Sequence, residues 1–257
     1  MVNDLVFIAK RWRVVHLLGI GKLRERYARS KFGQAWLVIS NLVFIVCIGI
    51  IWSLIWKMKI DEYLPYVGVG HVVYLFISQT LNDSTSIFVA DSRYYLNEKM
   101  PFMMSVCSHI YRSILIFIHN IPLIIILIIW SNSAVFKPSI LFFASFLILI
   151  IFLFFWSYIL AAVSTRFRDL VQIFGLLFQL SFLVTPVMWK IEFVPIELRD
   201  YFMINPFAAF LEAIRNPLIG LPVIQGAYVS IIIWTLFGLL FALILHKKFD
   251  NKIIFWI

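Results

Sequence analysis

The residues able to do chemistry in this chain are few and widely separated. The five histidines stand at 16, 71, 109, 119 and 246, and neither Cys47 nor Cys107 has a histidine at metal-ligand spacing. The one Gly-Lys step is Gly21-Lys22, followed by Leu23, and His16 occupies the position where a phosphate-cradling loop needs its first glycine. HExxH, GxSxG and Cys-x-x-Cys do not occur in the sequence. Glu192, Glu197 and Asp200 form an acidic group that could handle a diphosphate, but with no histidine beside it solvated charge at headgroup level is the plainer reading. Two charge pairings stand out: Asp83 and Arg112, at similar depths on neighbouring apolar segments, where pairing and plain snorkelling of Arg112 fit equally, and Glu212 and Arg215, three apart. Aromatic rings are far more plentiful, at 18% of residues. Phe44, Trp52 and Trp56 share one segment, Tyr63 and Tyr66 follow at its mouth, and Phe174, Phe178 and Phe182, four apart, share a helical face. They suit lipid contact and interfacial belts. Lipid contact is the plainer reading for any one of them, but together they also suit a lining along which sugar rings slide, because apolar sugar faces stack weakly on aromatic ones.

Six apolar segments must position these groups, at about 36–56, 64–87, 106–130, 139–163, 170–189 and 227–245. Each approaches or exceeds the ~20 residues that carry a helix across a ~30 Å hydrocarbon core. Charged residues are only 14% of the chain and its mean hydropathy is +0.96, outside the range of a water-facing fold. The expected fold is therefore an all-α integral membrane protein with six transmembrane helices. Sixteen of the 22 Lys and Arg fall with the termini and the second and fourth connections. The positive-inside rule then puts both termini in the cytoplasm of a multi-pass protein. The net charge of +9 is accounted for by topology and anionic headgroups, with no need for nucleic acid.

A basic amphipathic segment, 1–35, precedes the first crossing, longer than the basic region of a secretory signal. Leu5, Ile8, Trp12, Val15 and Gly19 form its apolar stripe, with Lys10, Arg11 and Arg13 around it, the pattern of an interfacial helix. A second basic cluster, Lys22, Arg24, Arg26, Arg29 and Lys31, serves lipid anchoring or docks a cytoplasmic partner. The connection at 91–105, with Asp91, Arg93, Tyr94, Glu98, Lys99 and Pro101, is long and polar enough for a short cytoplasmic helix. The turn Arg166-Phe167-Arg168-Asp169 makes its flanking helices antiparallel neighbours. Between the fifth and sixth crossings, Pro195 and Pro206 could each open a short external helix. The second of these carries Phe207, Phe210, Leu211 and Ile214 as a stripe, and would lie on the membrane or dip into it.

Leu23-Arg24-Glu25-Arg26-Tyr27 through Ser30, Gly33 and Trp36, then Arg166–Asp169, then Asn205-Pro206-Phe207 through Glu212 and Arg215, resemble in order the motifs of ABC-2 type polysaccharide-export permeases. The family often has a proline soon after the start of the first crossing; here Asn41 is followed by Leu42. The resemblance covers 23 to the C-terminus and makes 36–257 the ABC-2 type transmembrane domain. It implies a homodimer bearing two copies of a separate ABC nucleotide-binding subunit, ATP and Mg sitting on that subunit and no cofactor in this chain. It implies export of a lipid-linked polysaccharide of O-antigen, capsule or teichoic acid type through a bacterial inner membrane. Arg24, Arg26, Tyr94, Glu98, Lys99, Arg166, Arg168 and Asp169 would contact the ATPase. Phe44, Trp52, Trp56, Tyr63, Tyr66, Phe174, Phe178 and Phe182 would line the pore, and Phe207, Phe210, Glu212 and Arg215 would form an outer gate. Two other readings stand beside it: an ABC-2 permease for a small amphiphile, and an integral-membrane enzyme acting on polyprenyl-linked substrates.

Overall fold

The computed structural model describes residues 1–27, 32–33, 35–98, 100–130 and 140–257; Ser30, Lys99 and the expected helix start at 139 lie outside them. Among the described residues the regular structure is helical throughout. Two helices, α1 (Val2–Lys10) and α2 (Trp12–Tyr27), precede the bundle. The bundle itself comprises α3 (Ala35–Ile55), α4 (Ile60–Ser84), α7 (Phe102–Trp130), α8 (Ile140–Arg166), α9 (Leu170–Val184) and α12 (Gln225–Ile253). Short helices α5 (Ile87–Ala90) and α6 (Ser92–Glu98) occupy one end, and α10 (Ile196–Phe202) and α11 (Pro206–Leu218) the other. Five helices, α3, α4, α7, α8 and α12, are long and apolar enough to cross a membrane.

The fifth expected crossing departs from the sequence expectation. A helix over 170–189 stops at Val184, leaving α9 only 15 residues, or ~22 Å at ~1.5 Å per residue, short of a ~30 Å core. The cause is Pro186: the residue before a proline is driven out of the helical region, and Thr185 adopts φ −80° and ψ 137°.

The span least apolar in sequence, α4, is the most enclosed: 18 of its 25 residues are buried, against three of 21 in α3 and none in α9. A helix carrying His71, Ser78 and Thr80 loses hydrogen bonds in lipid, so α3, α7, α8, α9 and α11 pack around it. Gly68 permits the crossing of α4 with α3 and α7. A Cβ there would collide with Leu127 and stand 3.0 Å from Ile45 Cγ2, the close approach that small residues allow between membrane helices.

The amphipathic segment is two helices, broken at Arg11. Ile8 and Leu23 are buried, whereas Leu5 and Trp12 of the expected stripe remain exposed. Packing of α2 against α7 explains the split: Gly19 faces Tyr111, whose hydroxyl lies 2.7 Å from His16 Nδ1. At the opposite end, α11 opens at Pro206, and the Asn205 side chain accepts the Phe207 N–H at 3.0 Å. Protein covers this helix rather than lipid; ten of its 13 residues are buried.

Candidate functional site

Several carboxamides are exposed on apolar helices, where lipid alone would leave them unsatisfied, among them Gln79 and Asn82 of α4 and Gln179 of α9. These three converge on one groove of about 320 Å³ between α3, α4 and α9. Phe44, Phe178 and Phe182 form its aromatic wall, and His71, Tyr74 and Ser78 its floor. The His71 ring stacks on Phe44 at 4.2 Å with 19° between planes, and Phe182 stands edge-on to it at 6.2 Å. Tyr74 ties the floor to the wall, its hydroxyl donating to the Phe178 carbonyl at 2.6 Å and lying 2.6 Å from Ser181 Oγ. The groove therefore offers ring faces and uncharged hydrogen-bonding groups side by side.

The other aromatics of the expected lining lie elsewhere. Phe174 continues the α9 row, its ring 6.3 Å from Phe178. Trp52, Trp56, Tyr63 and Phe193 cluster nearer the α11 end, with Trp56 4.6 Å from Phe193. Tyr63 and Tyr66 are enclosed, at 0% and 2% exposure, so their rings do not face an opening. They are enclosed because the turn after α9 leaves carbonyls in need of donors: Tyr63 donates to that of Met188, and Tyr66 to that of Trp189 at 3.2 Å.

The same turn is held from α11. Arg215, wholly buried, donates to the Pro186 carbonyl at 2.6 Å and lies 3.4 Å from Glu212 Oε2, its guanidinium 3.8 Å from the Tyr66 ring centroid. Asn216 donates to Glu212 at 2.6 Å and to the Pro222 carbonyl at 2.8 Å. Burial pushes the Glu212 carboxyl up, and the neighbouring Arg215 charge opposes that shift. Of the four expected gate residues, Phe210, Glu212 and Arg215 are buried and Phe207 is half-buried, 5.9 Å from both Tyr74 and Phe178.

At the α6 end, the Asp83–Arg112 pair expected from depth is present at 2.8 Å. Beside it Lys22 of α2 meets Asp91, the residue before α6, at 2.5 Å. Both pairs border a cavity of about 570 Å³ that also takes in Glu25, Tyr94 and His109. Arg24 is exposed, Tyr94 half-buried, and Tyr95 anchors α6 with its ring 4.4 Å from Phe102. Arg26 falls in α2 and Glu98 ends α6. Arg166, Phe167, Arg168 and Asp169 are exposed together, with Arg166 4.9 Å from the Trp256 ring centroid. Glu192, Glu197 and Asp200 are exposed, and among the described residues no group of His, Cys, Asp or Glu could hold a metal ion.

His71, Tyr74 and Gln179 were not singled out in the sequence. A signal existed: positions 71, 74, 75, 78, 79 and 82 form one helical face, and Gln172 and Gln179 lie seven apart on another.

A bundle of apolar helices that gathers polar side chains into a groove between them, with charged short helices at one end, is the layout of a polytopic membrane permease. Residues 15–219 match the family of ABC-2 type transporters, and the chain belongs to that family. It is thus a transport subunit of a class that associates with an ABC ATPase. The chain is similar to two proteins of Klebsiella pneumoniae, each named O-antigen export system permease protein RfbA. One is 24% identical over 225 residues, covering 84% of this chain and 86% of that protein. The other is 24% identical over 217 residues, covering 83% and 82%. A Myxococcus xanthus protein of the same name is 23% identical over 195 residues, covering 75% of each chain.

Proposed function

We propose that this chain is the membrane subunit of an ABC exporter that moves a lipid-linked polysaccharide out of the cytoplasm, two copies forming the pathway and two separate ATPase subunits driving it. The observation that carries this reading is the groove in which Phe44, Phe178 and Phe182 stand beside Gln79, Asn82 and Gln179. Stacking on rings and hydrogen bonding to hydroxyls are the two interactions a sugar offers, and many weak contacts hold a polymer without trapping it. The names of the similar proteins from Klebsiella and Myxococcus agree with that chemistry. In this reading the α6 end faces the cytoplasm, which the distribution of Lys and Arg supports. The helix α9 and the turn residues 185–189 together make the fifth crossing. ATP and Mg reside on the partner, which seats against α6, α2 and Arg166–Asp169. Closure of the ATPase dimer moves these elements and parts the α3 and α9 faces of the two copies.

A small amphiphile as cargo has its own supporting observation, an apolar groove of about 520 Å³ lined by Phe152, Trp156, Leu177, Phe178 and Trp234. One experiment separates the two cargoes: deletion of the gene, followed by measurement of surface and intracellular glycan. Glycan should accumulate inside and vanish from the surface; unchanged surface glycan removes the polysaccharide reading and leaves the amphiphile.

A further inference from the structure

The groove holds a polar atom that the fold leaves without a use. His71 is 5% exposed, and its Nδ1 finds no hydrogen-bond partner among the described residues. Buried polar atoms in native proteins are nearly always paired, so an orphan in a groove is a site waiting for a ligand group. Stacking on Phe44 fixes the imidazole plane, with Phe182 closing over its edge. The nitrogen is therefore reached only when the α3 and α9 walls separate.

Around it no fixed charge lines the groove. The hydrogen-bonding groups nearby are Ser78 and the carboxamides of Gln79, Asn82 and Gln179. Carboxamides both donate and accept, which suits hydroxyls of either orientation. A phosphate or carboxylate brought here would lose its water with no cation to replace it.

Resting on the export reading above, we infer that His71 and the carboxamides of Gln79, Asn82 and Gln179 form a subsite for the uncharged, hydroxyl-bearing face of a sugar ring. Phe44 or Phe182 stacks on the ring's apolar face, and the phosphate of the carrier lipid is held outside the groove. Closed and empty, the groove leaves Nδ1 unpaired; a sugar hydroxyl entering between the walls relieves that penalty, so the cargo itself favours the open groove.

The test uses the full chain with its ATPase in the native host. His71→Phe keeps the ring stack and removes the nitrogen, whereas His71→Asn keeps a polar atom near the Nδ1 position. Surface glycan should fall about five- to tenfold in H71F, the loss of one well-placed hydrogen bond. It should stay within about threefold of the parent in H71N. Membrane level and basal ATP hydrolysis are measured alongside, so that a folding defect in either variant is recognised. A p-benzoylphenylalanine at Leu75, which lines the same groove, should photo-cross-link to glycan, seen as a size-shifted, lectin-reactive band. Wild-type export by H71F, or no cross-link from position 75 in cells that still export, overturns the subsite and leaves the export reading intact. Surface glycan that survives deletion of the chain overturns both.

Discussion

Arg215 is fully enclosed, and the groups around it are an inventory of what a buried guanidinium demands: a carboxylate, a backbone carbonyl, a side-chain amide and a ring face. Removing one charge of such a pair is worse than removing both, because the survivor keeps its desolvation cost without its partner. Glu212→Gln should therefore destabilise the protein by about 3–5 kcal/mol. The double change Glu212→Leu with Arg215→Met should lose less, and thermal unfolding of purified protein in detergent reads the comparison. A double variant that melts below Glu212→Gln would show that the charges are not what holds the turn. The spacing of Glu212 and Arg215 made the pair legible from sequence. Their reach to Pro186 and Tyr66 was not, since those contacts join residues 29 and 149 positions away and no local pattern encodes them. For the same reason Tyr63 and Tyr66 read as pore-lining aromatics at the mouth of the first crossing, although the carbonyls after α9 draw them inward.

Among the elements, the clearest contrast is between α2 and α9. Periodicity gave one amphipathic helix at the start of the chain, yet the choice between lipid and protein for its apolar face depends on where α7 passes. Gly19 and His16 settle that through Tyr111. In α9 hydrophobicity ran on to Trp189, but hydrophobicity does not report backbone geometry, and Pro186 ends the helix five residues earlier. The short helix α6 was legible as a polar connection of the right length. Its tie to α2 was not, because Lys22 and Asp91 lie 69 residues apart. That ion pair makes α2 and α6 one unit: Asp91 is buried and Lys22 is half-buried. Asp91→Asn should thus lower export at unchanged ATP turnover and membrane level, and the exchange Lys22→Asp with Asp91→Lys should restore part of it. Replacing Glu98 and Lys99 together should uncouple in the same way if α6 receives the ATPase stroke. The ratio of glycan exported to ATP hydrolysed in membrane vesicles measures both. Unchanged export by the Glu98 and Lys99 variant would take α6 out of the mechanism.

At the scale of the whole molecule, the proposed pathway needs more than the single chain. Its groove has walls from α3, α4 and α9 and is otherwise open, and α3 and α9 are the least buried of the bundle helices that surround it. Apolar exposure on those helices would suit lipid, which is as apolar as leucine and gives helices no hydrophobic reason to associate. Gln172 and Gln179 on α9 are different: exposed on an apolar helix, they need polar partners or water that lipid does not supply. A second copy facing the first across a two-fold axis would set two such grooves opposite each other and enclose the carboxamides in a shared passage. Leu176, exposed on α9 between the two glutamines, is placed to report this. With Cys47 and Cys107 replaced by serine, Leu176→Cys in oxidised native membranes should give a cross-linked species of about twice the 30.1 kDa chain mass. The yield should fall when the partner ATPase is trapped with ATP, because in the proposed mechanism opening the passage draws the α9 helices apart. If no position scanned along α9 cross-links and the purified complex contains one copy of the chain, the passage cannot lie between protomers, and α9 would face lipid alone.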